Sequence, residues 1–170
     1  MKRSVIGAQE TAPLAVSADR ELKRAKNVAY RYLALRPRSR AEVEKKLRDR
    51  EFTAEVVSSV VDHLLRLRYL NDEEFARQWA AGRVRSRGFG RRRIEQELRL
   101  RGVGRETIAA ALEGLFDERS ETDLARREAE KKLRTLTRFE PEVRKRRLAG
   151  FLERKGFSSG IIRGILGTLK

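Results

Sequence analysis

The chain repeats one pattern of apolar residues three times, and this repeat constrains its fold more than any other feature. Leu47, Leu98 and Leu152 mark equivalent positions that are 51 and 54 residues apart. Each marker has an aliphatic residue four positions earlier and an apolar residue five positions later. Mostly apolar residues follow nine, ten, thirteen and fourteen positions after the marker. A period of this length predicts tandem structural units.

The spacing inside each repeat is helical. Apolar residues recur at steps of one and four, and no alternation of period two indicates a strand. An amphipathic run before each repeat supplies a third helix. These runs are Arg20 to Leu35, Glu73 to about Arg85, and about Ser120 to Leu136. The predicted fold is all-α, with three tandem three-helix repeat units in an elongated array.

The repeat also sets the predicted domain boundaries. Residues 1–19 contain little periodicity, which is typical of a flexible N-terminal arm. The three-helix units then follow over residues 20–71, 72–117 and 118–170. A unit of about 50 residues is near the lower limit for an independent core, so neighbouring units are expected to pack against each other.

Several helix ends are predicted from local sequence. Gly102 and Gly156 stand four residues after their repeat markers, where a helix end favours a left-handed residue. Glu51 occupies this position in the first unit, which weakens the prediction of such a cap there. The sequence from Ser39 to Glu42 has the pattern of a capping box at the start of a helix.

Composition indicates a folded chain without disulfides or thiolate metal sites. Leu, Ile, Val and Phe form about a quarter of the residues, enough for a core despite a net charge of +16. Cysteine is absent. The longest stretch without a charged residue has eight residues, far fewer than a membrane span needs. We expect a soluble cytoplasmic protein that binds neither a metal nor a membrane.

The sequence lacks the residue combinations of common catalytic sites. His63 is the only histidine, and no serine nucleophile or orienting carboxylate accompanies it at a recognisable spacing. We expect His63 to be exposed and structurally idle. No Walker-type phosphate loop is present, and Gly102-Val103-Gly104 is better interpreted as a helix end than as a dinucleotide-binding turn. We therefore predict that the protein is not an enzyme and has no cofactor.

One segment of the chain is densely basic. Residues 83–105 contain nine basic and two acidic residues and so carry +7 of the net +16. Such a segment favours a polyanionic partner, because basic side chains release counterions from a phosphate backbone. The alternative is a solvated face that reflects arginine-rich codon usage. The candidate filament- or nucleic-acid-binding residues are Arg83, Arg85, Arg87, Arg91, Arg92, Arg93, Gln96, Arg99 and Arg101.

Helical geometry orders the middle of this segment. If Ile94 and Leu98 face the core, a rotation of about 100° per residue fixes the outward stripe, with Glu95 and Glu97 on its flanks. Basic residues at the start of this helix oppose its dipole, and the sequence shows no local compensation, which suggests a functional use. The outward stripe consists of Arg92, Gln96 and Arg99.

Two apolar residues of this segment, Phe89 and Leu100, are possible protein contacts, and each has other interpretations. Phe89 lies between two glycines, where its ring either stacks on a base or closes a corner between helices, and the second reading is favoured. Leu100 falls on the outward side of its helix, where it contacts a protein partner or is simply an isolated exposed leucine.

Three stretches of the first two units match the motifs of one family in order and spacing. They are Tyr32 to Val43, Tyr69 to Ala76, and Gly90 to Leu98 followed by Gly102-Val103. In these residues the chain resembles the bacterial RecX family of recombinase regulators. The resemblance covers about residues 22–170, and the third unit matches mainly in its apolar pattern.

The resemblance implies a regulator that binds the RecA nucleoprotein filament along its groove. It implies inhibition of recombinase, ATPase and co-protease activities, and so a role in DNA repair, recombination and the SOS response. It also implies non-specific binding to single- and double-stranded DNA, and we expect a monomer. One alternative is a stand-alone helix-turn-helix-like DNA-binding regulator. Another is a scaffolding repeat with no polyanionic partner.

Overall fold

The computed structural model describes residues 12–169, except for the side chains of residues 12–17, 118 and 119. Within that range the chain forms nine α-helices and no β-strand, which confirms the predicted all-α class. The helices are α1 (Ala12–Leu35), α2 (Arg40–Arg48), α3 (Ala54–Arg66), α4 (Asp72–Arg87), α5 (Arg91–Arg99), α6 (Arg105–Glu113), α7 (Glu118–Leu133), α8 (Pro141–Lys155) and α9 (Ser159–Gly167).

The helices associate in consecutive groups of three, as the tandem repeat predicts. Helices α1 to α3 pack against one another, and so do α4 to α6 and α7 to α9. We call these groups the first, second and third modules. The chain divides into two compact units, one that ends at Asn71 and one that begins at Asp72. The first module forms one unit, and the other two modules together form the second.

The apolar stripe of α3 is the centre of the first module's core. Its residues recur at steps of three and four, so that they lie on one face of the helix. Alanines on α1 allow that helix to approach this face closely. The buried residues of this core are Ala25, Ala29, Val43, Leu47, Val57, Val60, Val61, Leu64 and Leu70.

The second and third modules share one hydrophobic core. Ile94 and Leu98 of α5 are fully buried in it, as are Leu148 and Leu152 at the equivalent positions of α8. Burial of one such side chain is worth about 1.5–3 kcal/mol. Two small modules thus stabilise each other, as the size of the repeat leads us to expect.

A left-handed residue follows the helix that carries each repeat marker. The φ angle is 62° at Glu51, 72° at Gly102 and 91° at Gly156. The turn predicted for the two glycines is confirmed. The doubt raised by Glu51 was wrong, because the fold imposes the same turn on a side chain that resists it by about 1 kcal/mol. Ser39 forms the predicted capping box with Glu42.

Helix boundaries differ from the sequence prediction at several ends. Helix α1 already begins at Ala12 and not at Arg20, and Leu136, the predicted end of the third run, lies in the turn after α7. Of the predicted N-terminal arm, residues 1–11 lie outside the described residues and residues 12–19 belong to α1. Apolar periodicity locates the packed middle of a helix but not its ends, where few residues face a core.

Candidate nucleic-acid interface

Helix α5 presents the predicted basic stripe to solvent. Ile94 and Leu98 are fully buried, and Arg92, Gln96 and Arg99 are exposed on the other side of the helix. The orientation derived from helical geometry is therefore correct. We call the exposed residues Arg92, Arg93, Gln96 and Arg99 the α5 surface. Arg85 and Arg87, at the end of α4, are also exposed.

The two carboxylates that flank the stripe hold guanidinium groups. Glu95 forms an ion pair with Arg99 one turn later. Glu97 Oε2 accepts a hydrogen bond from Arg83 Nε at 2.7 Å, and Glu97 Oε1 lies 3.6 Å from Arg93 Nε. These contacts reduce the positive charge that the segment offers to a partner. Within the described residues, Arg85, Arg87 and Arg92 have no ion pair.

Two candidate arginines pack on a tryptophan instead of facing a partner. The Cζ atoms of Arg83 and Arg101 lie 4.1 and 3.7 Å from the centre of the Trp79 ring. The indole Nε1 donates to Glu97 Oε2 at 3.0 Å, and Arg101 Nη1 donates to the Glu97 backbone carbonyl at 3.0 Å. A guanidinium over an indole contributes about 0.5–1 kcal/mol or more. Arg83 and Arg101 therefore hold α4 to the end of α5.

The start of α5 is capped by the third module. Its first backbone N–H groups find acceptors there: Gly90 donates to the Lys155 carbonyl at 2.8 Å and Arg92 to the Gly156 carbonyl at 3.1 Å. Arg91 N–H donates to Glu121 Oε1 at 3.0 Å. The C-terminal carbonyls of α8 and a carboxylate thus face the positive end of α5. The compensation that the sequence lacks locally therefore comes from acceptors 30 and more residues away along the chain.

A buried carboxylate stabilises the same junction. Glu128 of α7 is 8% exposed and accepts hydrogen bonds from Lys131 and Lys155, each at 2.9 Å. Lys155 also donates to the backbone carbonyl of Arg87. Burial opposes ionisation of Glu128, but the two lysines outweigh it and lower the pKa of this carboxyl group. Gly88 has a φ of 58°, and a Cβ there would lie 2.4 Å from the Glu128 carboxyl carbon.

The two apolar candidates of the segment lie in different environments. Phe89 is half-buried and packs against the shared core, with Arg93 and Lys155 near its ring. This position agrees with the corner-closing interpretation over base stacking. Leu100 is 79% exposed, as its place on the helix predicts. A contact between Leu100 and a protein partner stays a prediction.

His63 corrects an expectation from the sequence. It is half-buried on α3, and its Nε2 lies 3.0 Å from the hydroxyl of Tyr30 on α1, within hydrogen-bonding distance. The imidazole therefore links two helices and is neither exposed nor idle. Partial burial lowers the pKa of His63, and the nearby charges of Lys26 and Arg66 lower it further. Tyr30 is 33 positions away, which is why local spacing did not indicate the contact.

A second basic site, which the sequence analysis missed, lies in the first module. We call it the first-module cleft, a cavity of about 340 Å³ between α1 and the connection from α2 to α3. Its signal in the sequence is weak, because residues of α1 and of the α2–α3 turn, which are distant in sequence, supply it jointly. The residues that line it are Arg24, Asn27, Val28, Arg31, Arg50 and Phe52.

Among the side chains that the structure describes, no group of three or more histidine, cysteine, aspartate or glutamate residues is arranged to hold a metal ion. Among the helices described above, none combines the length and the apolar character needed to cross a membrane.

Family models match all three modules. The model described as the first three-helix domain of RecX matches residues 25–64, the second-domain model matches residues 71–112, and the third-domain model matches residues 120–166. The chain belongs to the RecX family. Each matched RecX domain corresponds to one module of the fold, which explains the threefold repeat in the sequence.

Relatives named "Regulatory protein RecX" cover most of the chain. The protein of Thermobifida fusca (strain YX) is 40% identical over 139 residues, which are 81% of this chain and 74% of that protein. The protein of Amycolatopsis mediterranei (strain U-32) is 34% identical over 88% of this chain and 85% of that protein. The protein of Corynebacterium efficiens is 37% identical over 90% of this chain and 77% of that protein. Relatives that match over about three quarters or more of their own length thus support a RecX regulator role.

Two crystal structures share the fold. RecX from Lactobacillus salivarius aligns with a TM-score of 0.79 at 24% identity, over 89% of this chain and 97% of that one. A second structure, of a regulatory protein RecX, aligns with a TM-score of 0.82 at 23% identity, over 96% of this chain and 80% of that one. At this level of identity the comparison concerns the RecX fold alone.

Proposed function

We propose that the protein binds the RecA nucleoprotein filament and inhibits its recombinase, ATPase and co-protease activities. It would act as a monomer in the cytoplasm, where it modulates DNA repair and recombination. Membership of the RecX family supports a regulatory role, and the net charge of +16 supports a partner that presents phosphate or acidic surface. Several modules also allow several weak contacts along a repeating filament to act together.

The exposure of the α5 surface is the observation that carries this proposal. Arg92, Gln96 and Arg99 form a stripe without a carboxylate, and the third module caps the start of the helix that holds them. The surface is thus presented by a rigid element. In the proposed mechanism it contacts filament surface or DNA phosphate. The bound modules then block access of DNA or the subunit rearrangements that activity needs.

An inhibition assay tests the proposal. The combined change of Arg92, Arg93 and Arg99 to Ala should weaken inhibition of the DNA-dependent ATPase of RecA and flatten the dependence of inhibition on salt, with unchanged helicity. The flattening is expected because each lost phosphate contact removes about 0.7–0.9 from the salt slope. A matched control changes three exposed arginines of the third module, Arg126, Arg134 and Arg154, to Ala. Equal inhibition by wild type and the α5 variant across the salt titration contradicts the proposal.

One observation disfavours α5 as the recognition helix of the stand-alone helix-turn-helix alternative. Recognition helices of that motif enter the major groove with their N-terminal residues at the base edges. The backbone at the start of α5 is covered by Lys155 and Gly156 of the third module. A footprint on random genomic fragments without RecA distinguishes the two functions. A discrete protected sequence favours the alternative, whereas diffuse, salt-sensitive binding favours the filament regulator.

A further inference from the structure

The first-module cleft is assembled by two local features. Arg24, Asn27 and Arg31 lie at steps of three and four on α1 and so share one face of that helix. The left-handed residue Glu51 reverses the chain after α2 and places its neighbours, Arg50 and Phe52, at the same cleft. The sequence thereby brings three guanidinium groups, one amide and one aromatic ring to a single cavity.

The arginines of the cleft have no carboxylate partners. Among the described residues, none of Arg24, Arg31 and Arg50 forms an ion pair, and no acidic side chain belongs to the cleft lining. All three arginines are exposed. Like charges that line one cavity repel each other, so a bound anion stabilises the arrangement more than it would stabilise a single surface arginine.

The other repeats show that this openness is specific to the first module. Arg50 lies three residues after its repeat marker, and the equivalent residues are Arg101 and Lys155. Arg101 stacks on Trp79, and Lys155 binds the buried carboxylate Glu128. The repeat thus places a cation here three times, and two of the three cations are engaged inside the fold.

The repeat position of Phe52 shows the same difference between the first module and the other two. Phe52 corresponds to Val103 and Phe157, which are 5% and 1% exposed. Gly90 packs so closely against Phe157 that a Cβ on this glycine would lie 2.8 Å from the Phe157 ring. Phe52 is only half-buried and lines the open cleft. An apolar ring thus remains accessible beside unpaired guanidinium groups.

We propose that the first-module cleft binds single-stranded nucleic acid, with one base against Phe52 and the flanking phosphates on Arg24, Arg31 and Arg50. Aromatic rings bind unstacked bases of any sequence, and arginines bind the backbone beside them. Asn27 offers both a hydrogen-bond donor and an acceptor to a base edge. An acidic peptide would use the arginines but would leave the ring without a partner. A duplex would keep its bases stacked and away from Phe52.

The salt dependence of binding separates the two kinds of contact. The full chain is titrated into a fluorescently labelled, short oligodeoxythymidylate, and the anisotropy is followed at several salt concentrations. Arg31→Ala and Arg50→Ala should each weaken binding and reduce the salt slope by about 0.7, the value for one single-strand phosphate contact. Arg66→Ala removes the same charge from an exposed position of α3 outside the cleft and serves as the control. It should leave the slope unchanged.

The aromatic contact has its own signature. Phe52→Leu keeps apolar packing but removes the ring face, so binding should weaken about tenfold at fixed salt with an unchanged slope. Phe52→Trp adds an indole at the cleft, and its fluorescence should be quenched when the oligonucleotide binds. The wild type, whose single Trp79 is covered by arginines, supplies the baseline. Circular dichroism checks that each variant is folded.

Each outcome supports or overturns the proposal. If the arginine variants weaken binding but Phe52→Leu binds normally and Phe52→Trp is not quenched, the cleft is a site for an acidic surface and the proposal is wrong. Absence of binding by the wild type, or slopes equal to that of Arg66→Ala, also overturns it. The proposal shares a nucleic-acid partner with the proposed function but uses other residues and no RecA. Its failure therefore leaves inhibition through the α5 surface to be judged by the ATPase assay.

Discussion

The arginine-rich segment of the second module and the first-module cleft use the same residue type in opposite ways. In the segment, Arg83 and Arg99 have carboxylate partners and Arg101 stacks on a tryptophan. In the cleft, neither Arg31 nor Arg50 has an ion pair within the described part of the chain. The arginine-rich segment thus has part of its charge engaged internally. Density of charge along a sequence therefore does not measure the charge available to a partner.

The contrast continues at the turns that follow the repeat markers. In the third module, the turn at Gly156 receives the start of α5 and holds two modules together. In the first module, the turn at Glu51 opens onto a cavity. One repeated turn serves as a docking surface in one place and as a cleft wall in another.

The largest expected effect is on the free energy of unfolding, when residues of these two turns are changed. Gly156→Ala should lower the free energy of unfolding by about 3 kcal/mol, because φ is 91° and the new Cβ would lie 2.3 Å from the Arg93 backbone nitrogen. Glu51→Gly should instead raise it by up to about 1 kcal/mol, since it removes a strained left-handed side chain. Urea unfolding followed by circular dichroism measures both. A destabilisation of similar size in the two variants would show that the turns are equivalent after all.

A smaller effect is expected when a paired arginine is released. Glu95→Gln removes the carboxylate that holds Arg99, so that this arginine resembles those of the cleft. Affinity for an oligonucleotide should rise about twofold to threefold, whereas stability should fall by only about 0.3–0.5 kcal/mol, as for an exposed pair one helical turn apart. Anisotropy titration at low salt measures the affinity. Glu55→Gln, an equal change of charge at an exposed residue of α3, is the control. An equal gain in both variants would show that only net charge matters.

The smallest expected effect is a dependence of stability on pH, which arises in the first module. Because the pKa of folded His63 is lowered, the unfolded chain takes up this proton at a higher pH than the folded chain does. Stability is therefore greatest above the ordinary histidine value of about 6.5 and declines as pH falls from there through the lowered pKa. Melting temperatures measured between neutral and mildly acidic pH should show this decline. His63→Gln should show a flatter profile over that range. Identical profiles for the two proteins would mean that His63 does not couple folding to protonation.

The fold could be predicted well from the sequence, because the buried face of each helix depends on the local spacing of apolar residues. The steps between Ile94 and Leu98, and between their equivalents, identify the buried face of each helix without knowledge of its neighbours. The same arithmetic placed Arg92, Gln96 and Arg99 on the exposed side. Left-handed turns were predicted where a glycine allows them, but not at Glu51, where packing imposes the turn on another residue.

The unpredicted features all join distant parts of the chain. Glu121 caps α5 across 30 residues, and His63 meets Tyr30 across 33. The first-module cleft combines Arg31 with Arg50 from a different element. No local pattern reports such pairs, because helix packing decides them. A search for equivalent repeat positions with different neighbours would have indicated Arg50, since its two counterparts lie beside tryptophan or carboxylate residues that it lacks.

Sedimentation with a preassembled RecA filament tests the central claim most directly. The protein is mixed with the filament or with the same single-stranded DNA without RecA, at matched salt, and the bound fraction is measured in the pellet. We expect stronger retention on the filament than on naked DNA, and a larger loss of retention for the Arg92, Arg93 and Arg99 variant than for the third-module control. Equal retention on the filament and on naked DNA, with no difference between the two variants, would contradict this claim.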